Sequence, residues 1–173
     1  HKLYRLGISH KLWLNIIDLH TDMQSCVLYR GNTSKWFPIL QGTRQGGVCS
    51  PFLYLCFIDQ LINDLAHSGF GLRIGNINVS CPSFADDMLI LSLSRNGLQS
   101  MIDICYEYSC KWRYQYNAQK SSIVLLNNAV RSFKLFTRPR VWHIGPAAIN
   151  EEVQYTHLGI ICHNKWNSTE NVK

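Results

Sequence analysis

The stretch CPSFADDMLILSLS (residues 81–94) places two adjacent aspartates, Asp86 and Asp87, inside an apolar run typical of a β-strand. Burying one unpaired carboxylate costs free energy, and two carboxylates side by side also repel each other. Adjacent residues of a strand point to opposite faces, so the pair cannot share one apolar core. The stretch therefore predicts a hairpin tip or strand rim, with carboxylates that are either solvated or bound to a divalent cation.

The composition describes a folded, basic chain. Apolar residues make up 46% of the 173 positions and aromatic residues 12%, which is typical of one globular domain and not of a disordered segment. Seventeen lysines and arginines against eleven aspartates and glutamates give a net charge of +6. This excess fits a polyanionic partner such as nucleic acid, and it equally fits a solvated basic surface.

The sequence lacks the marks of a membrane or secretory protein. No apolar run reaches the roughly 18 residues that span a bilayer, and no signal peptide opens the chain. The seven cysteines form no Cys-x-x-Cys pair, which predicts reduced thiols instead of disulfides or structural zinc. We therefore expect a cytoplasmic and nuclear protein with no membrane partner. Because a helical pattern starts right after His1 without a cap, we expect a piece of a longer chain.

Hydrophobic spacing divides the chain into helices and short strands without a regular βαβ alternation, which favours an α+β fold. Helices are predicted over 3–19, with a break at 7–9, over 50–66 and over 96–116. Strands are predicted over 26–29, 35–40, 121–126, 141–144 and 153–162, and hairpins at Gly31-Asn32 and Gly75-Asn76. Ser50 is expected to cap the helix that follows it.

Four segments in order carry a family resemblance: LQGTRQGGVCSPFLYLCFIDQLINDL from Leu40, FADD from Phe84, CKWRYQYNAQKSSIVLLN from Cys110 and VQYTHLGI from Val153. They resemble the successive motifs of the reverse transcriptase domain of non-LTR (LINE-type) retrotransposons. The resemblance implies an α+β fold with a polymerase palm-type antiparallel sheet packed on helices and part of the fingers. It implies one partial reverse transcriptase domain over 1–173, with a helical and hairpin lead-in over 1–39. The palm motifs would occupy about 40–160, and the palm end with its primer-contacting strands 131–173.

The resemblance also implies the chemistry of the site. Asp86 would be a direct catalytic ligand of two Mg²⁺ ions, with Mn²⁺ as a substitute, and Asp87 would assist less directly. Lys120 would lie near the leaving pyrophosphate, where a cation stabilises developing charge and donates a proton. On residue type alone Lys120 is more simply a surface lysine, and its catalytic role rests wholly on the resemblance.

The remaining implied roles concern nucleic acid. Template and nucleotide contacts would come from a glycine-rich loop that contains Arg44, Gln45, Gly46 and Gly47. Primer contacts would come from Phe84 and Ala85, just before the aspartates, and from Leu158 and Gly159. The implied partners are an RNA template, a DNA primer, deoxynucleoside triphosphates and the rest of a retrotransposon polyprotein. The alternative for this loop is a flexible connection before a helix, which its company of motifs makes the weaker interpretation.

Several points stay open at this stage. The family needs another metal-binding aspartate upstream, and neither Asp18 nor Asp22 matches its pattern, so we expect little or no activity from this chain alone. Cys49 and the dipeptide Thr156-His157 also depart from the family pattern. A group II intron maturase and a non-catalytic nucleic-acid-binding remnant remain alternatives. A stripe of basic and aromatic residues is either a nucleic-acid contact or a solvated strand: Arg131, Phe133, Lys134, Phe136, Arg138 and Arg140.

Overall fold

The computed structural model describes residues 2–126 and 141–164. In these residues the helices are α1 (Lys2–Arg5), α2 (His10–Asp18), α3 (Ser50–His67) and α4 (Arg95–Trp112). The strands are β1 (Gln24–Ser25), β2 (Leu28–Tyr29), β3 (Asn32–Thr33), β4 (Phe37–Pro38), β5 (Arg73–Ile74), β6 (Ile77–Asn78), β7 (Ser83–Phe84), β8 (Asp87–Met88), β9 (Ser122–Val124), β10 (Trp142–Ile144), β11 (Ala147–Glu152), β12 (Gln154–His157) and β13 (Ile160–His163). This mixture confirms the α+β class.

The strands pair mostly as small antiparallel sheets. Five two-stranded sheets join β1 to β4, β2 to β3, β5 to β6, β7 to β8 and β12 to β13 within the described residues. A three-stranded sheet has the order β10-β11-β9, in which β11 is antiparallel to β10 and parallel to β9.

The chain divides into two compact units, the first ending at Gln60 and the second beginning at Leu61. In the first unit, α1 is fastened to the first half of α3. Lys2 Nζ donates a hydrogen bond of 2.8 Å to the backbone oxygen of Phe57 and also lies 5.6 Å from the centre of the Phe57 ring. Large apolar side chains such as Leu40 and Val48 are exposed in this unit.

The second unit holds a core between α4 and the three-stranded sheet. The buried residues of this core come from α4 and from all three strands of the sheet: Ile102, Ile123, Trp142, Ile144 and Ile149. Gln99 of α4 fixes the edge of this sheet, because its Nε2 donates to the backbone oxygen of His143 at 2.8 Å and its Oε1 accepts from the backbone nitrogen of His143 at 3.3 Å. Helix α4 and the three-stranded sheet therefore pack together as one base for the loops that follow them.

The structure corrects three boundaries. Helix α4 ends at Trp112 and not at Tyr116, because Arg113 adopts a left-handed conformation with φ of 59°. The strand predicted over 153–162 is wrong as a single strand. It is the hairpin β12–β13, which turns at Leu158 and Gly159, both at positive φ. Ser50 is the first residue of α3, and its hydroxyl donates back to the loop before the helix.

Other expectations from the sequence concern the cysteines, the basic and aromatic stripe, and membrane-spanning helices. All seven cysteines are free, as predicted, but Cys49 and Cys110 are exposed and only Cys105 is fully buried. The basic and aromatic stripe of 131–140 lies outside the described residues. Among the helices in the described part of the chain, none is long and apolar enough to cross a membrane.

Candidate functional site

The two aspartates lie at the tip of an antiparallel hairpin. Strands β7 and β8 pair Ser83 with Met88 and Phe84 with Asp87, which leaves Ala85 and Asp86 as the two-residue turn. Ala85 has a φ of 50°, a value that the first central position of the favoured two-residue hairpin turns requires and that an L-residue adopts at a cost. The side chains of Asp86 and Asp87 are both exposed. The prediction of a hairpin tip is confirmed.

The base of this aspartate hairpin is held firmly. Its arms continue through a hydrogen bond of 2.9 Å from Leu89 N to the oxygen of Pro82 and one of 2.8 Å from Leu91 N to the oxygen of Ser80. Ser80 itself is buried. The apolar residues after the aspartates thus form a half-buried arm, while both carboxylates remain in solvent at its end. This arrangement avoids the desolvation cost that the sequence raises.

The β12–β13 hairpin is brought close to the aspartates. Partial burial raises the pKa of Tyr155 in β12, and the carboxylate of Asp87 and the thiol of Cys162 add to the rise. Tyr155 therefore lies within electrostatic reach of Asp87. Its ring stacks on that of His157 at 6.1 Å, and both rings are half-buried. The turn after His157 contains Leu158 and Gly159, both at positive φ.

The glycine-rich loop of the first unit is a tight turn. The backbone nitrogen of Gly47 donates to the oxygen of Arg44 at 3.0 Å, and Gly46 has a φ of 77°. A positive φ at the third of four residues is the mark of a type II turn, where glycine is favoured. The hydroxyl of Ser50 donates to the same Arg44 oxygen at 2.6 Å. Gln45 is therefore presented on an exposed tip that is tied to the start of α3.

Lys120 lies on another hydrogen-bonded turn. The backbone nitrogen of Lys120 donates to Asn117 Oδ1 at 3.2 Å and to the backbone oxygen of Asn117 at 3.1 Å. The Ser121 hydroxyl donates to that oxygen at 2.9 Å. These bonds explain why asparagine and lysine are three residues apart, because Asn117 closes the turn that exposes Lys120. Within the described residues, no hydrogen bond or ion pair joins Lys120 to Asp86 or Asp87.

The aspartates have donor atoms that suit a hard cation. Carboxylate oxygens are the ligands that Mg²⁺ and Mn²⁺ prefer, and both carboxylates are accessible. In the described residues, however, no group of three or more histidine, cysteine, aspartate or glutamate side chains is assembled for a metal ion. The residues present therefore fit part of a metal site, two carboxylates of a larger set.

Two tyrosines, Tyr155 and Tyr116, were not predicted to lie where the structure places them. Tyr155 stands two positions before His157, and alternation along a strand places such residues on one face. The single strand predicted over 153–162 concealed the turn between β12 and β13. Tyr116 was expected on the face of a longer helix. It lies instead beyond the helix end, where its ring packs against the core.

Comparison with known proteins gives consistent matches. The family described as Reverse transcriptase (RNA-dependent DNA polymerase) matches residues 2–162. The Retrovirus-related Pol polyprotein from type-2 retrotransposable element R2DM of Drosophila melanogaster is 26% identical over 133 residues, 75% of this chain and 12% of that protein. The Retrovirus-related Pol polyprotein from type-1 retrotransposable element R2 of Nasonia vitripennis is 32% identical over 68 residues, 39% of this chain and 6% of that protein. The chain thus spans a small fraction of these relatives.

Proposed function

The chain belongs to the reverse transcriptase family, and we propose that it is the palm-centred part of a polymerase that copies RNA into DNA for a non-LTR retrotransposon. The observation that carries the proposal is the aspartate hairpin, which holds Asp86 and Asp87 in solvent on a half-buried, hydrogen-bonded base. Both named relatives are Pol polyproteins of R2 elements, which favours a retrotransposon over an intron maturase. The palm-type arrangement of the sheet is part of the same proposal.

Asp86 and Asp87 would hold the metal ions of the reaction. Mg²⁺, or Mn²⁺ in its place, would supply charge stabilisation for the attacking and leaving oxygens of the nucleotidyl transfer. Asp86 is the direct ligand in this proposal because it lies in the turn, outside the paired positions of the two strands. Asp87 is fixed opposite Phe84 and assists from the strand. A further carboxylate from outside the described residues would complete the set.

The glycine-rich loop would contact the template and the incoming nucleotide. Gln45 and Gly46 form the exposed tip of a turn, and a glycine backbone lets a nucleic acid strand approach closely. Arg44 supplies a planar, charged group suited to phosphate. The hydrogen bond of 3.0 Å from the backbone nitrogen of Ser50 to the oxygen of Gly47 supports a fixed loop over a flexible one.

The primer would lie between two hairpins of the second unit. Phe84 is 66% exposed beside Ala85 at the tip of the aspartate hairpin, and it offers an aromatic surface to a nucleotide. Leu158 is 52% exposed on the turn of β12–β13, next to Gly159. The proximity of Tyr155 to Asp87 supports this pairing of hairpins.

Lys120 would act on the leaving group. Its ammonium would stabilise the charge that develops on pyrophosphate and deliver a proton to it. The hydrogen-bonded turn from Asn117 supports this role, since it presents the lysine from a fixed backbone. The RNA template, DNA primer and deoxynucleoside triphosphates are the proposed partners, together with the remainder of a Pol polyprotein in the cytoplasm and nucleus.

The experiment is primer extension on an RNA template with Mg²⁺, using the 173-residue chain and a form whose coding sequence is extended upstream of His1. We expect deoxynucleotide incorporation by the extended form and little or none by the 173 residues, because their described part assembles too few carboxylates. RNA-templated synthesis in the extended form supports the proposal. Its absence, with RNA binding intact, would contradict the proposal.

The second candidate is a nucleic-acid-binding remnant without catalysis. The same incomplete carboxylate set in the described residues is the observation that favours it. Under this alternative, RNA binding would persist and neither form would incorporate nucleotides at any Mg²⁺ or Mn²⁺ concentration. Sequencing the adjoining coding region distinguishes the two, since a remnant lacks an upstream aspartate of the family pattern.

A further inference from the structure

A small polar cluster connects α4 to the turn that carries Lys120. The hydroxyls of Tyr114 and Tyr116 are 2.8 Å apart and share a hydrogen bond. The Tyr116 hydroxyl also forms a hydrogen bond with the thiol of Cys105, which is buried in α4. Tyr116 immediately precedes Asn117, the residue that closes the Lys120 turn.

The cluster packs against the core of the second unit. The ring of Tyr116 packs against the buried group between α4 and the sheet, and so does Ala118 inside the turn. Burial, together with the neighbouring hydroxyl and thiol, raises the pKa of Tyr116, so that it is a neutral hydrogen-bonding group at every physiological pH. The turn is thus held by apolar packing and by the hydrogen bonds of the Tyr116 hydroxyl, and only the hydrogen bonds depend on direction.

The same cysteine lies beside the start of the aspartate hairpin. Cys81 is near enough to Cys105 to affect its ionisation, and the thiol of Cys81 lies 3.4 Å from the hydroxyl of Ser83 in β7. Cys105 therefore bonds the residue that precedes the Lys120 turn and lies within electrostatic reach of the segment that leads into the aspartate hairpin.

We propose that the Tyr116 hydroxyl, bonded to the thiol of Cys105, is a positioning group that fixes the Lys120 turn on α4. The inference rests on the proposed function, because it acts through Lys120. Tyr116 touches no substrate in this account. Its effect is on the position of the lysine ammonium when the leaving group departs.

The test is a double-mutant cycle in the form of the chain that extends primers. We expect Lys120→Ala to lower the single-turnover rate about 100-fold, as loss of a general acid does. Tyr116→Phe should lower it about fivefold, which corresponds to one hydrogen bond. In the Lys120→Ala background, Tyr116→Phe should change the rate less than twofold, because the group it positions is gone. Equal effects of Tyr116→Phe in both backgrounds would overturn the proposal.

Two further variants separate positioning from folding. Cys105→Ala removes the same bond from the other end and should reproduce the dependence on Lys120, even if Tyr116→Phe is poorly folded. Tyr106→Phe is the matched control, because its hydroxyl also bonds a thiol of α4, that of Cys110, away from the Asn117 turn. It should leave the rate unchanged. A Tyr106→Phe effect as large as that of Tyr116→Phe would contradict a specific role.

Failure of the inference is distinguishable from failure of the proposed function. Extension that is lost in Asp86→Asn but unchanged in Lys120→Ala overturns the positioning role and leaves the polymerase intact. Absence of extension in the unmodified protein overturns both.

Discussion

Phe84 and Asp87 pair directly across the aspartate hairpin, and Ala85 and Asp86 between them form its turn. Directly opposite residues of an antiparallel pair share a face, so the aromatic ring and the carboxylate stand together at the tip. The hairpin therefore holds an exposed aromatic ring and an exposed carboxylate on one small unit. A strand-like sequence accommodates two carboxylates because they occur where the strand ends.

Ala85 should show the cost of its backbone conformation. At a φ of 50°, a β-branched side chain is strongly disfavoured, whereas asparagine adopts such values readily. We expect Ala85→Val to lower the free energy of unfolding by about 1–2 kcal/mol and Ala85→Asn to leave it within about 0.5 kcal/mol. Urea denaturation measures both. Equal stability of the two variants would contradict the turn described here.

Gly47 should be sensitive because of one neighbouring atom. A Cβ at this position would lie 2.7 Å from Ser50 Oγ and 3.1 Å from the oxygen of Arg44. We expect Gly47→Ala to cost about 1–2 kcal/mol of stability and to weaken RNA binding by displacing the Ser50 hydroxyl. In a Ser50→Ala background the same change should cost less, because the nearest atom is absent. An identical penalty in both backgrounds, measured by denaturation, would exclude this explanation.

Cys105 should resist alkylation at ordinary pH. Burial raises the pKa of its thiol to about 12, and the nearby Cys81 adds to the rise against an opposing hydrogen bond from Tyr116. At pH 8 its thiolate fraction is then about one in ten thousand, and the thiolate is the reactive form. Cys49 and Cys110 are exposed and should be modified first by iodoacetamide. Peptide mass spectrometry with time reads the order, and early modification of Cys105 in the folded protein would refute it.

The basic segment of 131–140 should contribute to the salt dependence of RNA binding. Each phosphate contact adds about 0.7 to the slope of log affinity against log salt on a single strand. The double variant Arg138→Gln/Arg140→Gln should therefore reduce that slope by up to about 1.4. Lys11→Gln/Lys35→Gln, which removes two exposed charges from the first unit, is the control. Equal changes in the two double variants would mean that only net charge matters.

Local chemistry made much of the fold predictable. The hairpin tip at Asp86, the turn at Gly75-Asn76 and the start of the long helix at Ser50 follow from residue type. Glycine permits turn conformations, proline fixes φ at a helix start, and adjacent carboxylates favour a solvated turn. The end of α4 was not predictable in this way. Arg113 adopts a left-handed conformation without being glycine, and the core then draws Tyr116 away from the helical path.

The residues proposed for the candidate site come from the sequence motifs, whereas the spatial relationships among them do not follow from the sequence. The family motifs point to Asp86, Gln45 and Lys120, but periodicity does not reveal that the chain turns back at Leu158 or that Tyr155 lies within electrostatic reach of Asp87. Such proximity depends on pairing between distant segments, which the sequence specifies only through the packed core. The hydrogen bond between Tyr116 and Cys105 is of the same kind.

The most direct test of the account compares Asp86→Asn with Asp64→Asn in single-turnover primer extension on an RNA template with Mg²⁺. Both aspartates are exposed, and Asp64 lies on α3 outside the candidate site, so the two variants make the same charge change. We predict that Asp86→Asn lowers the rate at least about 100-fold without changing stability, and that Asp64→Asn stays within about twofold. Extension by Asp86→Asn at the unmodified rate would contradict the claim that this hairpin holds the catalytic metal.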